Sequence, residues 1–292
     1  MLIDKFNTLA IWERNGERAP HKPLLILFAL GEFLRTPHRS IPYLEVDKKL
    51  RELLEEFGPN RVNYHPEYPF WRLQKDGIWE VHGADKIVLT SSGDARKGDL
   101  IKGDITGSLS EEIRKELTRN PKLFPQIVQN ILNAHFPATI HEDILQSIGI
   151  DLSLNVQVKL KRGYDFRSKI LQAYEYRCSV CGFDVRLGHT PIALEAAHIK
   201  WHQAGGPDEE INGLALCALH HKLFDRGAFS LSENLEILVS DKANGAQGFK
   251  EWLLDYHGRK IYFPQRQTFY PKSEFTKWHS AEVFKGYSRE LL

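Results

Sequence analysis

The sequence predicts a two-domain α+β protein: a mainly helical N-terminal half with one small β-hairpin, then a C-terminal half folded around a metal clamp. Three observations lead there. Apolar residues in the first half recur at helical spacing. The aromatic-rich stretch PFWRLQKDGIWEV interrupts that pattern around Asp76-Gly77, a hairpin dipeptide. All three cysteines fall in one stretch, at Cys178, Cys181 and Cys217, with His220 three residues after the last. A length of 292 residues gives room for two domains, and 42% apolar content gives each a core to bury.

In chain order, the first 35 residues predict two helices. The second opens at Pro20-His21-Lys22-Pro23, where proline suits a first turn, and continues as LLILFALGEFL, apolar on almost every side and so buried. Residues 44–57, LEVDKKLRELLEEF, form an amphipathic helix that Gly58-Pro59 stops. Two short strands follow, PFWRLQ and IWEV. Residues 91–108, rich in Gly, Ser and Asp, read as loop. Helices are expected near 109–119, 121–136 and 140–148. The extended stretch from Ile150 to Lys161 marks a boundary, so the division is 1–150, a linker at 151–163, and 164–292. YDFRSKILQAYEYRC then forms a helix running into the first cysteine pair. In the tail, LEILV is a strand and FKEWLLDY a helix, and the tail's role is packing against the preceding core.

Net charge excludes little. It is +1 overall, with 21 basic and 22 acidic residues up to 160 and 18 and 16 after it. Neither half is a polycation, so any nucleic-acid contact must be local. Lys159, Lys161 and Arg162 form one small basic run, a pattern that also suits a solvated linker. No run approaches the ~18 apolar residues of a membrane span. The N-terminal segment lacks the basic-then-apolar layout of a secretory leader, so a cytoplasmic location is expected.

Cys178-x-x-Cys181 and Cys217-x-x-His220 are two knuckles that together supply four zinc ligands with no cysteine left over. Three thiolates and an imidazole close the shell, so this Zn²⁺ is expected to be structural. Between and after the knuckles lie His198 in LEAAHI, Asn212 in INGLALC and His221 in HHKLFD. Hydrolysis of a phosphodiester needs a base that works near neutral pH, which imidazole provides. It also needs a cation against the charge that grows on phosphorus and the leaving oxygen. Histidine is the residue type that can serve either need, as a base or as a metal ligand. Asp225, four residues after His221 on the same helical face, is either a second ligand or a partner of His221.

The order His198, Asn212, His221, set among the knuckles, resembles the HNH endonuclease family and its ββα-metal fold across roughly residues 165–240. The resemblance implies His198 as the general base, Asn212 as the residue that holds the connecting loop, and His221 as ligand to a catalytic divalent ion such as Mg²⁺ or Mn²⁺. Many members carry Asp or His just before the first His; this chain has Ala197. Glu195 could contribute, although strand alternation turns it away from His198.

The N-terminal segments HKPLLILFALGEFL and FGPNRVNYHPEYPFWRLQKDGIWEV resemble the sulfur-binding domain of phosphorothioate-dependent McrA-type restriction endonucleases, over about residues 10–105. The resemblance implies sulfur and phosphate contacts from His21, Lys22 and Pro23 and from Tyr68 and Pro69, with Ser92 and Arg96 as added contacts by position. A thio-substituted phosphate is softer and more weakly hydrated, so an apolar cup can favour it over an ordinary oxygen. The implied activity is type IV, modification-dependent restriction of double-stranded DNA. A double-strand break needs two nicks, which a homodimer would supply. Two alternatives stay open: an HNH endonuclease reading another mark or a sequence, and a zinc-bearing DNA-binding module without catalysis.

Overall fold

The computed structural model describes residues 2–7, 9, 19–150 and 164–290. The extended boundary segment after Ile150 and the basic run at Lys159, Lys161 and Arg162 lie outside the described residues. The chain divides into two compact units, residues 1–158 and 159–292.

In the first unit, α1 (Leu2–Asn7) precedes α2 (His21–Arg35), the helix around which the rest is built. Leu24, Leu25, Ile26, Leu27 and Leu30 are fully buried, each contributing about 2 kcal/mol of apolar transfer. Glu32 is also buried near the end of α2, where Arg35 and Arg39 pair with its carboxylate. The strand β1 (Ile41–Pro42) leads into α3 (Tyr43–Phe57), which buries Tyr43, Val46, Leu50, Leu53, Leu54 and Phe57 at helical spacing. The remaining elements are α4 (Glu67–Arg72), β2 (Trp79–His82), α5 (Lys97–Lys102), β3 (Thr106–Leu109), α6 (Glu111–Arg119), α7 (Leu123–His135) and α8 (His141–Ile148).

Two expectations are corrected here. PFWRLQ is not a strand: Tyr68 to Arg72 lie in α4 and Leu73–Asp76 continue as a 3-10 turn. Phe70, Trp71 and Leu73 are all buried, a spacing that a helix can face inward and a strand of period two cannot. Gly77 closes the turn at φ +68°, in the left-handed region. The small antiparallel sheet is present, but the partner of β2 comes from the segment expected to be loop. Trp79 pairs with Leu109 and His82 with Thr106, while Ile41 of β1 pairs with Gly107, giving the order β1-β3-β2. Gly107 permits this packing, since a Cβ there would sit 2.3 Å from the Trp79 indole.

The second unit opens with α9 (Tyr164–Ala173) and the short hairpin of β4 (Arg186–Leu187) and β5 (Thr190–Pro191). Then come β6 (Leu194–His198), β7 (Gly213–Cys217) and α10 (Ala218–Asp225), the ββα element. A second hairpin, β8 (Phe229–Leu231) with β9 (Ile237–Val239), is followed by α11 (Gln247–Trp252) and α12 (Ser273–Glu282). Phe166, Ile170, Leu194, Ala197, Leu214, Leu216, Phe224 and Phe229 share one core. The tail packs on that core through His279 of α12, whose ring stacks on Phe224 at 3.7 Å. Its Nε2–H donates to the Phe224 carbonyl at 3.2 Å and its Nδ1 accepts from the Ser230 hydroxyl at 2.9 Å.

Candidate functional site

In the second unit, a backbone bond brings the knuckles together: Ser179 N–H, in the first, donates to the Ala215 carbonyl of β7 at 2.7 Å. Leu194 of β6 lies opposite Cys217 at the end of β7, and α10 begins on the next residue. Cys178, Cys181, Cys217 and His220 place their ligand atoms within 4.8 Å of one another. The distances are 3.7 Å from Cys178 Sγ to His220 Nδ1, 4.0 Å from Cys181 Sγ to Cys217 Sγ, and 3.1 Å from Cys217 Sγ to His220 Nδ1. A tetrahedral zinc with ordinary bond lengths needs edges of about 3.6 to 3.8 Å, so the cluster fits that ion. His220 Nε2–H donates to the Trp252 carbonyl at 2.9 Å, which leaves the Nδ1 lone pair facing the sulfurs.

His198 ends β6 opposite Gly213. Its ring stacks on Phe166 at 3.9 Å and 11°. Its Nε2–H donates to Asp208 Oδ1 at 2.8 Å, which puts the free lone pair on Nδ1. Burial holds His198 below the ordinary imidazole range against the opposing pull of Asp208, so the ring is neutral and able to accept a proton near pH 7.

Asn212 is fully buried and binds backbone alone: Oδ1 accepts from Lys200 N–H at 2.8 Å, and Nδ2 donates to the carbonyls of Lys200 and Pro207, both at 3.0 Å. It thereby closes the loop that carries Asp208. Gly206 completes this closure, because a Cβ there would lie 1.8 Å from the Lys200 carbonyl oxygen.

His221 and Asp225 face inward from α10 and are both buried. His221 Nε2 lies 3.2 Å from Asp225 Oδ2, and Nδ1 lies 2.6 Å from Glu195 Oε2. Burial disfavours the imidazolium, yet Asp225 and Glu195 together push His221 up to about 9. Two carboxylates around one ring make this a place that favours positive charge. Asp225 also acts electrostatically on His198, so both imidazoles share its field. Glu195, on the same strand as His198, pairs with His221.

The site also holds residues that sequence spacing did not single out. Asp208 follows His198 by ten residues in an irregular loop, and His202 and Phe166 carry no motif. Only Asp208 had a signal, as a carboxylate near a candidate base.

In the first unit, His21 begins α2. Burial, reinforced by the nearby His65 and Arg61, lowers it to about 4. Lys22 Nζ meets Asp76 Oδ2 at 2.6 Å, and Pro23 is buried. Tyr68 is exposed, with the Arg72 guanidinium 4.6 Å over its ring and the His65 ring 5.2 Å away. Pro69 beside it is buried in α4. Arg72 is bidentate on Asp94 at 2.7 Å for both bonds, and Ser92 Oγ donates to the same carboxylate at 3.2 Å. This ties exposed Tyr68 and exposed Ser92 to one surface, whereas exposed Arg96 stands just before α5 and makes no side-chain capping bond.

An antiparallel hairpin leading into a helix, with imidazoles on the strand end and on the helix and a Cys3His clamp behind them, defines a ββα-metal nuclease. Residues 178–232 match the family model described as HNH endonuclease. Residues 1–153 match the model described as ScoMcrA-like DNA sulfur-binding domain. That match covers just over half of the chain, and the chain belongs to this family. The chain joins a domain of the DNA sulfur-binding family to an HNH nuclease domain.

Among solved structures it is similar to the sulfur-binding domain of ScoMcrA complexed with phosphorothioated DNA, at 23% identity and TM-score 0.46, covering 51% of this chain and 96% of that one. It is also similar to the type IV phosphorothioation-dependent restriction endonuclease ScoMcrA, at 22% identity and TM-score 0.41, covering 50% of this chain and 28% of that one. The modification-dependent TagI restriction endonuclease aligns at 23% identity and TM-score 0.29, covering 46% of this chain and 41% of that one. No curated protein gives a match. No helix among the described residues is long and apolar enough to cross a membrane.

Proposed function

We propose that the chain binds DNA carrying phosphorothioate linkages through its N-terminal unit and hydrolyses phosphodiester bonds with its C-terminal unit, as a type IV restriction enzyme of a prokaryotic cytoplasm. The observation that carries the catalytic half is His221 held between Asp225 and Glu195. Its Nε2 and Asp225 are spaced as neighbouring ligands of one divalent ion, for which edges of about 3.0 to 3.4 Å are needed. Glu195 then accepts from Nδ1–H and fixes the tautomer. A divalent ion such as Mg²⁺ or Mn²⁺ held there would supply charge neutralisation at the scissile phosphate. His198 takes the proton of the attacking water on Nδ1, with Asp208 and Phe166 fixing the plane of its ring. Asn212 keeps the loop closed, and Zn²⁺ held by Cys178, Cys181, Cys217 and His220 pins the hairpin to α10.

In the reader, exposed Tyr68 offers an apolar surface for sulfur, where an ordinary phosphate oxygen would lose hydration without return. His21, Lys22, Ser92 and Arg96 contact phosphate oxygens or base edges, and Pro23 and Pro69 shape the backbone beneath them. Cutting both strands would employ two copies of the chain.

Matched duplexes, one with a phosphorothioate linkage and one without, test the target, and equal affinity for both would end the sulfur reading. Nicking of a plasmid that carries phosphorothioate linkages, with Mg²⁺ or Mn²⁺, tests catalysis. His198→Ala should lower the rate by about 10²–10⁴-fold and leave duplex binding unchanged. Plasmid left intact by the native chain with either ion would favour the non-catalytic module.

A further inference from the structure

We infer that His198, His202 and Asp208 form a second transition-metal site, distinct from the Cys3His clamp and from His221, at which Zn²⁺ silences the nuclease. One donor atom from each of the three residues lies within 4.8 Å of the other two. Asp208 Oδ1 is 2.8 Å from His198 Nε2 and 3.3 Å from His202 Nδ1. A tetrahedral ion with imidazole and carboxylate ligands needs edges of about 3.3 Å, so one distance already fits and the other opens by half an ångström. The His202 side chain is 67% exposed and that of Asp208 48%, so a fourth position faces solvent and an ion can enter from bulk. Two imidazoles and one carboxylate select a borderline ion such as Zn²⁺ over Mg²⁺, which prefers an all-oxygen shell.

The consequence for catalysis follows from the single lone pair of a neutral imidazole. With Asp208 accepting from Nε2–H, that pair is on Nδ1 and free to take a proton from water. A zinc ion on Nε2 uses the pair there, and the ring proton moves through solvent to Nδ1. The number of protons on the ring is unchanged, but His198 has no base left to offer. Asp208 is thus the element both states share: it orients the active tautomer in one and ligates the inhibitory ion in the other. His202 also lies against Asp208 Oδ1 in the metal-free arrangement, but it holds no proton of the reaction and acts as a ligand in the inhibited state alone.

This inference rests on His198 being the general base, and the experiment keeps the two apart. Full-length native protein and His202→Ala are compared by native mass spectrometry for zinc bound per chain, and by nicking of a phosphorothioate-carrying plasmid in excess Mg²⁺ as Zn²⁺ is raised. Nicking is read as the ratio with and without zinc within each protein. The native chain should bind one zinc more than His202→Ala, and its ratio should fall about tenfold at a zinc concentration that the variant tolerates, as expected for loss of one of three ligands. Equal zinc counts in the two proteins, or equal inhibition of both, would overturn the site. If the native chain nicked no DNA, the general-base reading would fail, while the zinc count would still decide whether the site exists.

Discussion

Replacing Asn212 with alanine should unfasten the loop from Lys200 to Pro207, and the size of the effect can be worked from its bonds. The side chain satisfies one buried N–H and two carbonyls. Each such bond contributes about 1 kcal/mol net, which makes about 3 kcal/mol for the set, or on the order of 100-fold in the opening constant of the loop. Asn212→Asp should be no better: Oδ1 still accepts from Lys200 N–H, but a carboxylate replaces the donor that faced the two carbonyls. Hydrogen exchange at the Lys200 amide reads this opening directly, and plasmid nicking reads its effect on the Asp208–His198 pair. Both variants should exchange faster and nick more slowly, with reader binding retained. If Asn212→Ala exchanged Lys200 at the native rate, the loop would be held by other contacts and the reasoning would fail.

If the Cys3His cluster holds zinc as proposed, chelation or Cys181→Ala should cost the nuclease unit several kcal/mol, because such a metal would supply much of the enclosed segment's folding energy; thermal melting should show this transition shifted while the reader's stays in place. Gly107→Ala should destabilise the reader by about 1–3 kcal/mol through overpacking, since the new Cβ meets the Trp79 indole at 2.3 Å; denaturant unfolding would measure it. His21, with a folded pKa of about 4 against an ordinary 6.5, favours the neutral ring in the folded state. The reader's stability from this group is therefore complete above pH 6.5 and lost as pH falls toward 4. Between pH 7 and 4.5 the native reader should lose about 2 kcal/mol more than a His21→Gln variant; a parallel loss in both would assign the acid sensitivity to other groups.

The sequence alone determined the helices α2, α3, α6, α7 and α8, because each carries an apolar stripe and its own start or stop residues. It also determined the Cys3His cluster and the order His198, Asn212, His221, because metal ligands and their neighbours must sit at short fixed spacings whatever surrounds them. Tertiary structure alone decided the rest. PFWRLQ became helix because Phe70, Trp71 and Leu73 had one core to face, and β2 found its partner 24 to 30 residues away, in a segment whose local composition reads as loop. Asp208 and Glu195 met their imidazoles for the same reason: sequence position marks both as carboxylates near the candidate histidines, but a hydrogen bond depends on where two atoms end up, and only the fold decides which ring each one reaches.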